Sequence, residues 1–202
     1  LFEPEAAAQL LAETLGRSFV LRRRPVTEPG APLPFAASEF EGRLGTRVLP
    51  DWFDVVDDPA AREFGGRRLI GGYPVDLEGV TPKTVTLVEK GILRGYLTTR
   101  QPAQGVDASN GHARLPGSFG ANTAAPSNLF IRASRTSTLA DLKKQLIAMA
   151  SQANRPYGML VRRMDFPSSA SLAEAQRLLR SIAQDGNAAR AVSVPVLVYR
   201  VY

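Results

Sequence analysis

The chain has 202 residues, 44% hydrophobic and 22% charged, which is enough for a globular unit with a real core. No run approaches the roughly 18–20 apolar residues that a membrane-crossing helix needs, no basic-then-apolar signal segment opens the chain, and a membrane is therefore not an expected partner. The absence of cysteine and the presence of one histidine, His112, exclude disulfides and thiolate sites within these residues and argue against a zinc site built from them alone, while the formal charge of +6 by itself says little.

The first element is a helix from Glu5 to Gly16 (EAAAQLLAETLG), amphipathic and ended by a glycine in its plainest reading. Arg22-Arg23-Arg24 follows. A phosphate-binding patch is the sharp reading of that triplet, but a solvated charge run is preferred, and aromatic residues do not interleave with it as a single-strand binder requires. Nucleic acid is accordingly not an expected partner. Pro25 to Phe35 holds four prolines and one glycine and reads as a surface loop. Ser38 to Val48 is broken by Gly42 and Gly45, and Phe53 to Asp57 has strand character before a turn at Asp58-Pro59.

The clearest local structure is Lys83 to Thr99. Val85, Leu87 and Glu89 alternate with Thr84, Thr86 and Val88, and Lys90-Gly91 turns the chain into a second strand, Ile92 to Thr98. Gln101 to Asn128 is long, small and polar, the kind of loop that carries function or moves. Leu129 to Arg132 is a short strand. Thr138 caps a second helix, with Asp141 three residues on as a carboxylate variant of the capping box. Leu139, Leu142, Leu146 and Met149 form an apolar stripe for core packing, and the helix ends near Asn154 and Pro156. Met159 to Met164 is a strand, Ser171 to Ala183 a third helix, Asp185-Gly186-Asn187 a turn, and Val192 to Tyr202 a closing strand. The class expected is α+β, a mainly antiparallel sheet or partial barrel with three helices in a single domain over residues 1–202.

These elements carry a resemblance. Pro4-Glu5-Ala6-Ala7-Ala8, Leu10-Leu11, Glu13 and Gly16 are similar to the zinc-binding helix of the TldD/PmbA family of peptide-processing proteins. Val55-Val56-Asp57-Asp58-Pro59, Val75-Asp76-Leu77-Glu78-Gly79-Val80, the Glu89 to Arg100 hairpin, Ser109-Asn110-Gly111-His112-Ala113-Arg114 and Pro126-Ser127-Asn128-Leu129 resemble further family elements. Their order and spacing agree over roughly Leu1 to Phe130. The resemblance implies the C-terminal region of a longer protein whose N-terminal domain is absent, a reading that the start on Leu1 rather than methionine supports. It also implies a cage-like dimer that admits unfolded peptides to an internal zinc site.

The departure from the family lies at the two histidine positions of its HExxxH run, which are Ala12 and Arg17 here. A methyl group donates nothing to a cation, and a guanidinium has no lone pair to offer. Catalytic zinc needs three protein ligands and an open water position, so Glu13 stands as a vestigial base, a poor activator of water without a metal. The resemblance thus implies a PmbA-like or degenerate, non-catalytic subunit in the cytoplasm, paired with a TldD-like homologue or with itself, and with zinc in the catalytic partner rather than in this chain. The family's active members place a ligand cysteine late in the chain, beyond Tyr202 if it exists here.

Two alternatives stay open: an active metallopeptidase whose ligands come from missing segments or a partner, and a basic binding module without chemistry, consistent with the family's label as a modulator of DNA gyrase. Arg100, Asn110, His112, Arg114 and Asn128 are the candidate peptide contacts. Each has a plainer reading. His112 is a general base or, preferably, a solvated loop histidine, and Asn128 bonds a peptide main chain or caps its own loop. Asp76 and Glu78 share a strand face that could take a cation or an arginine fork or, preferably, serve as turn acceptors of backbone N–H groups.

Overall fold

The computed structural model describes residues 1–22, 37–101, 103, 105–116, 122–165 and 194–202. They divide into two compact units, one formed by Leu15–Arg135 and the other by Leu1–Thr14 with Thr136–Tyr202. The first helix, α1 (Pro4–Ser18), runs through both stretches. Pro4 starts it where a missing N–H costs nothing, and Arg17 lies in its last turn, where a cation complements the exposed carbonyls. Gly16 does not end α1, contrary to expectation. A Cβ there would meet Cγ of Pro126 at 3.3 Å, so the glycine serves a close approach instead.

The unit Leu15–Arg135 is built on a four-stranded antiparallel sheet. Its strands are β1 (Phe53–Asp57), β4 (Val85–Glu89), β5 (Ile92–Leu93) and β8 (Leu129–Ala133), in the order β5-β4-β1-β8. The expected hairpin is present, with Glu89 paired to Ile92 across a two-residue turn. Lys90 and Gly91 both have positive φ, 46° and 76°, the geometry whose twist matches that of the flanking strands. The second arm is shorter than expected, because the N–H groups of Arg94 and Gly95 both turn to the carbonyl of Leu87 and lift the chain out of the ladder. Leu97 continues as a single parallel bridge to Val20. Val55, Leu87, Val88, Leu93 and Leu97 are buried with Phe19 and Phe40, whose rings tilt against each other at 5.4 Å. Each such side chain contributes about 1.5–3 kcal/mol on leaving water.

Two antiparallel ribbons were not expected. β2 (Glu63–Phe64) pairs with β3 (Arg67–Arg68), and β6 (Ala113–Pro116) pairs with β7 (Asn122–Ala124) inside the stretch read as a structureless loop. The second ribbon is anchored by Ala113 and Ala124, a buried pair too small to announce a strand by hydrophobic alternation. Asp76 and Glu78 lie in a turn rather than on a strand.

In the other unit, β9 (Gly158–Asp165) pairs antiparallel with β10 (Val194–Val201) on one side. On the other it bonds residues 1–3, through Glu3 N–H to the Val161 carbonyl at 2.9 Å and Val161 N–H to the Leu1 carbonyl at 2.8 Å. The second helix, α2 (Leu139–Gln152), starts as expected: Thr138 Oγ1 accepts the N–H of Asp141 at 3.1 Å. The core role expected for its stripe is only partly met. Leu142 and Leu146 are half-buried, with Leu146 seated over Gly158, while Leu139 and Met149 are exposed. The loop Pro25–Phe35, the helix Ser171–Ala183, its following turn and the first residues of the last strand lie outside the described residues. The class is α+β, with antiparallel sheets and two helices among the described residues.

Candidate functional site

Three loops and one strand end converge on His112. Its side chain and that of Asp57, the last residue of β1, are both fully buried, with His112 Nε2 3.1 Å from Asp57 Oδ1. The opposite ring nitrogen, Nδ1, lies 2.9 Å from Asn110 Oδ1 and 3.1 Å from the Asn110 carbonyl. A solvated loop histidine is therefore ruled out, and the physical reason is Asp57, which lies 55 residues away in sequence. Asp57 is saturated by donors. Ser127 N–H reaches Oδ1 at 3.0 Å and Oδ2 at 2.8 Å, and Ser127 Oγ also donates to Oδ1.

The surrounding polar groups are spent in the same way. Asn110 Oδ1 accepts the N–H of Thr98 at 2.9 Å, Asn110 Nδ2 donates to the Tyr96 carbonyl at 2.7 Å, and Asn110 N–H donates to Thr98 Oγ1 at 3.0 Å. Asp76 Oδ1 accepts the N–H groups of Glu78 and Val80, and Asp76 Oδ2 accepts that of Ala113. Glu78 accepts the N–H of Arg100 at 2.6 Å. Both carboxylates thus act as backbone acceptors, the plainer of the two readings. Asn128 ties three segments: its Oδ1 accepts Gly71 N–H, and its Nδ2 donates to the carbonyls of Asp58 and Ala61.

Tyr73 closes one side of the cluster. Its hydroxyl donates to the Gly111 carbonyl at 2.7 Å, and its ring meets that of His112 edge-on. The Arg114 guanidinium stacks 4.1 Å from the Tyr73 ring centroid and donates to the Gly71 carbonyl at 2.8 Å. Burial pushes the Tyr73 phenol up to about 12; Arg114 opposes that shift, and the carboxylates of Asp57 and Asp76 add to it.

Chemically this is a joint. Ser127, Asp57 and His112 are in contact, yet the serine hydroxyl bonds the carboxylate rather than the imidazole, so no base faces a nucleophile as acyl transfer demands. Both faces of proton exchange on the ring are occupied. On α1, Ala12 and Arg17 are exposed and Glu13 is half-buried. A methyl and a guanidinium do not fit a zinc ion, and among the described residues no three histidine, cysteine, aspartate or glutamate side chains are placed to hold a metal. Sequence reasoning missed Tyr73 and Thr98 as members of the joint. Asp57 and Ser127 lay within quoted elements without a role.

The profile of the PmbA/TldA metallopeptidase C-terminal domain matches residues 1–161. The chain belongs to the TldD/PmbA family. The match reaches past Phe130, through α2 and into β9. A metalloprotease of Archaeoglobus fulgidus is 33% identical over 81 residues, 40% of this chain and 18% of that protein. A metalloprotease PmbA homolog of Haemophilus influenzae is 38% identical over 71 residues, 35% of this chain and 15% of that protein. This TldD/PmbA chain therefore spans under a fifth of the length of either relative. In structure it is similar to TldE from Thermococcus kodakarensis, with a TM-score of 0.50 and 20% identity over 82% of this chain and 32% of that one. That likeness concerns the fold. Among the described residues no helix is long and apolar enough to cross a membrane.

Proposed function

We propose that this chain is part of the non-catalytic subunit of a TldD/PmbA-type zinc peptidase complex acting on unfolded peptides, and that it pairs with a histidine-bearing homologue. The observation that carries this reading is the donor chemistry of α1, where Ala12 and Arg17, which have no lone pair to offer a cation, stand at the positions that resemble the family's ligands beside Glu13. Arg17 has a separate use as the cation of the last helical turn, which a histidine ligand would have forgone.

The joint narrows the peptide contacts. Asn110, His112 and Asn128 spend their side-chain polar atoms inside the fold, whereas Arg100 is exposed and Arg114 half-buried. Arg114 gives one guanidinium N–H to the Gly71 carbonyl and stacks on Tyr73, so Arg100 is the residue we assign to peptide carboxylate or carbonyl groups. β8, at the end of the four-stranded sheet, offers the edge for an added strand.

Elemental analysis of the full-length protein, made alone and made together with its histidine-bearing homologue, tests the assignment. Zinc is expected in the joint preparation, with the two chains co-purifying. About one zinc per chain in the protein made alone would overturn it, as would two chains that never associate.

A further inference from the structure

We propose that Asn110-Gly111 is a site of intramolecular deamidation that the fold holds shut, and that a chain whose joint opens is marked by a product the closed joint does not accept. Asn110 is the one asparagine in the chain followed by glycine. Glycine has no Cβ to shield its nitrogen or to restrict its backbone, so that nitrogen can reach the preceding side chain. In the reaction the Gly111 nitrogen attacks Cγ of Asn110. A new N–C bond forms, the Cγ–Nδ2 bond breaks, and ammonia leaves with the proton of the Gly111 N–H, relayed by water. Water then opens the cyclic imide at either carbonyl, giving aspartate or isoaspartate at position 110.

The fold calls for both residues of the pair. Gly111 has a φ of 79°, and a Cβ there would lie 2.6 Å from Cα of Pro82 and 2.7 Å from the Thr81 carbonyl oxygen. Asn110 supplies an acceptor to Thr98 N–H at 2.9 Å and a donor to the Tyr96 carbonyl at 2.7 Å, a combination that an ionised aspartate lacks.

The same contacts keep the reaction from starting. Asn110 N–H donates to Thr98 Oγ1 at 3.0 Å, and its carbonyl accepts Lys83 N–H at 3.0 Å. Gly111 N–H donates to Ser109 Oγ at 3.1 Å, and its carbonyl accepts the Tyr73 hydroxyl. The attack requires the Asn110 amide to leave Tyr96 and Thr98 while the Gly111 nitrogen leaves Ser109, which is an opening of the joint. Neither product then fits. Aspartate sets an ionised oxygen against the Tyr96 carbonyl, and isoaspartate lengthens the main chain between backbone groups that are all bonded. Chemical change of the open form in this way makes unfolding irreversible.

Intact protein held at mildly alkaline pH in native buffer, and in parallel in denaturant, tests this by peptide mass mapping of position 110 with enzymatic detection of isoaspartate. In denaturant Asn110 should be lost as fast as in a short peptide spanning Asp107 to Leu115, and in native buffer at least about tenfold more slowly. Equal rates in the native protein and the peptide would overturn the protection. The product is tested with Asn110→Asp, whose denaturation midpoint should fall below that of the unaltered chain. An equal or higher midpoint would overturn the claim that the closed joint rejects it.

Discussion

At the scale of single residues, Asp57 is the fully buried carboxylate that ties His112 and Ser127 to the end of β1. Replacing it by asparagine keeps the shape but removes the charge and turns an NH2 toward either Ser127 or His112, both of which donate. Each buried donor left without its acceptor costs about 1–3 kcal/mol, in addition to the bonds lost to the carboxylate. Ser127→Ala removes one hydroxyl bond to a charged acceptor and leaves the main-chain bonds, a loss of about 1.5–3 kcal/mol. Denaturant unfolding should therefore rank Asp57→Asn below Ser127→Ala in stability, and the reverse order would mean that the pair does not act as described. Tyr73 makes a prediction of the opposite pH sense from most acid effects. Its phenol titrates at about 12 when folded against 10.0 when free. Its contribution is complete below about pH 10 and is lost as the pH rises toward about 12, since only the unfolded phenol ionises in that window. Spectroscopic titration should find one tyrosine ionising late, and that tyrosine should revert to the ordinary range in Arg114→Ala only if packing by Arg114, rather than its charge, dominates. The guanidinium's charge alone acts the other way.

At the scale of elements, what was legible in the sequence was what is local. The Lys90-Gly91 turn announces itself because two successive residues of positive φ are needed to match strand twist, and the alternation on either side fixes the register. Thr138 with Asp141 works for the same reason: donor and acceptor are three residues apart. Gly91→Ala should cost about 1–2 kcal/mol for the left-handed backbone alone. The true loss should exceed that, because the added Cβ would lie 2.3 Å from the Leu49 carbonyl. A chemical melt showing no loss would exclude this turn geometry. What was not legible depends on partners far away. His112 reads as a loop histidine until Asp57 is beside it. The ribbon of β6 and β7 rests on alanines that carry no alternation, and α2 shows a full apolar stripe although Leu139 and Met149, its ends, are exposed.

For the whole molecule, the family elements quoted from the sequence meet in one place. Asp57 and Asp58, Asp76 and Glu78, Thr98 and Arg100, Asn110 and His112, and Ser127 and Asn128, from the five elements that follow α1, are all bonded to one another's segments. Residues that read as candidate chemistry in the sequence are bonded to one another across segments, and those bonds account for the spacing of their motifs. The candidate ligand positions on α1 stand apart from this in kind: their donor chemistry depends on residue type, since no fold can give a methyl group a lone pair.

The order of the two units along the chain bears on synthesis. Leu15–Arg135 is continuous and can fold as soon as it has left the ribosome, whereas residues 1–3 must wait for β9, which begins 157 residues after Leu1. During that interval residues 1–3 lack the β9 ladder that they join in the folded chain. The Glu3–Arg162 ion pair at 2.9 Å is thus a contact that forms only after Leu15–Arg135 has been synthesised.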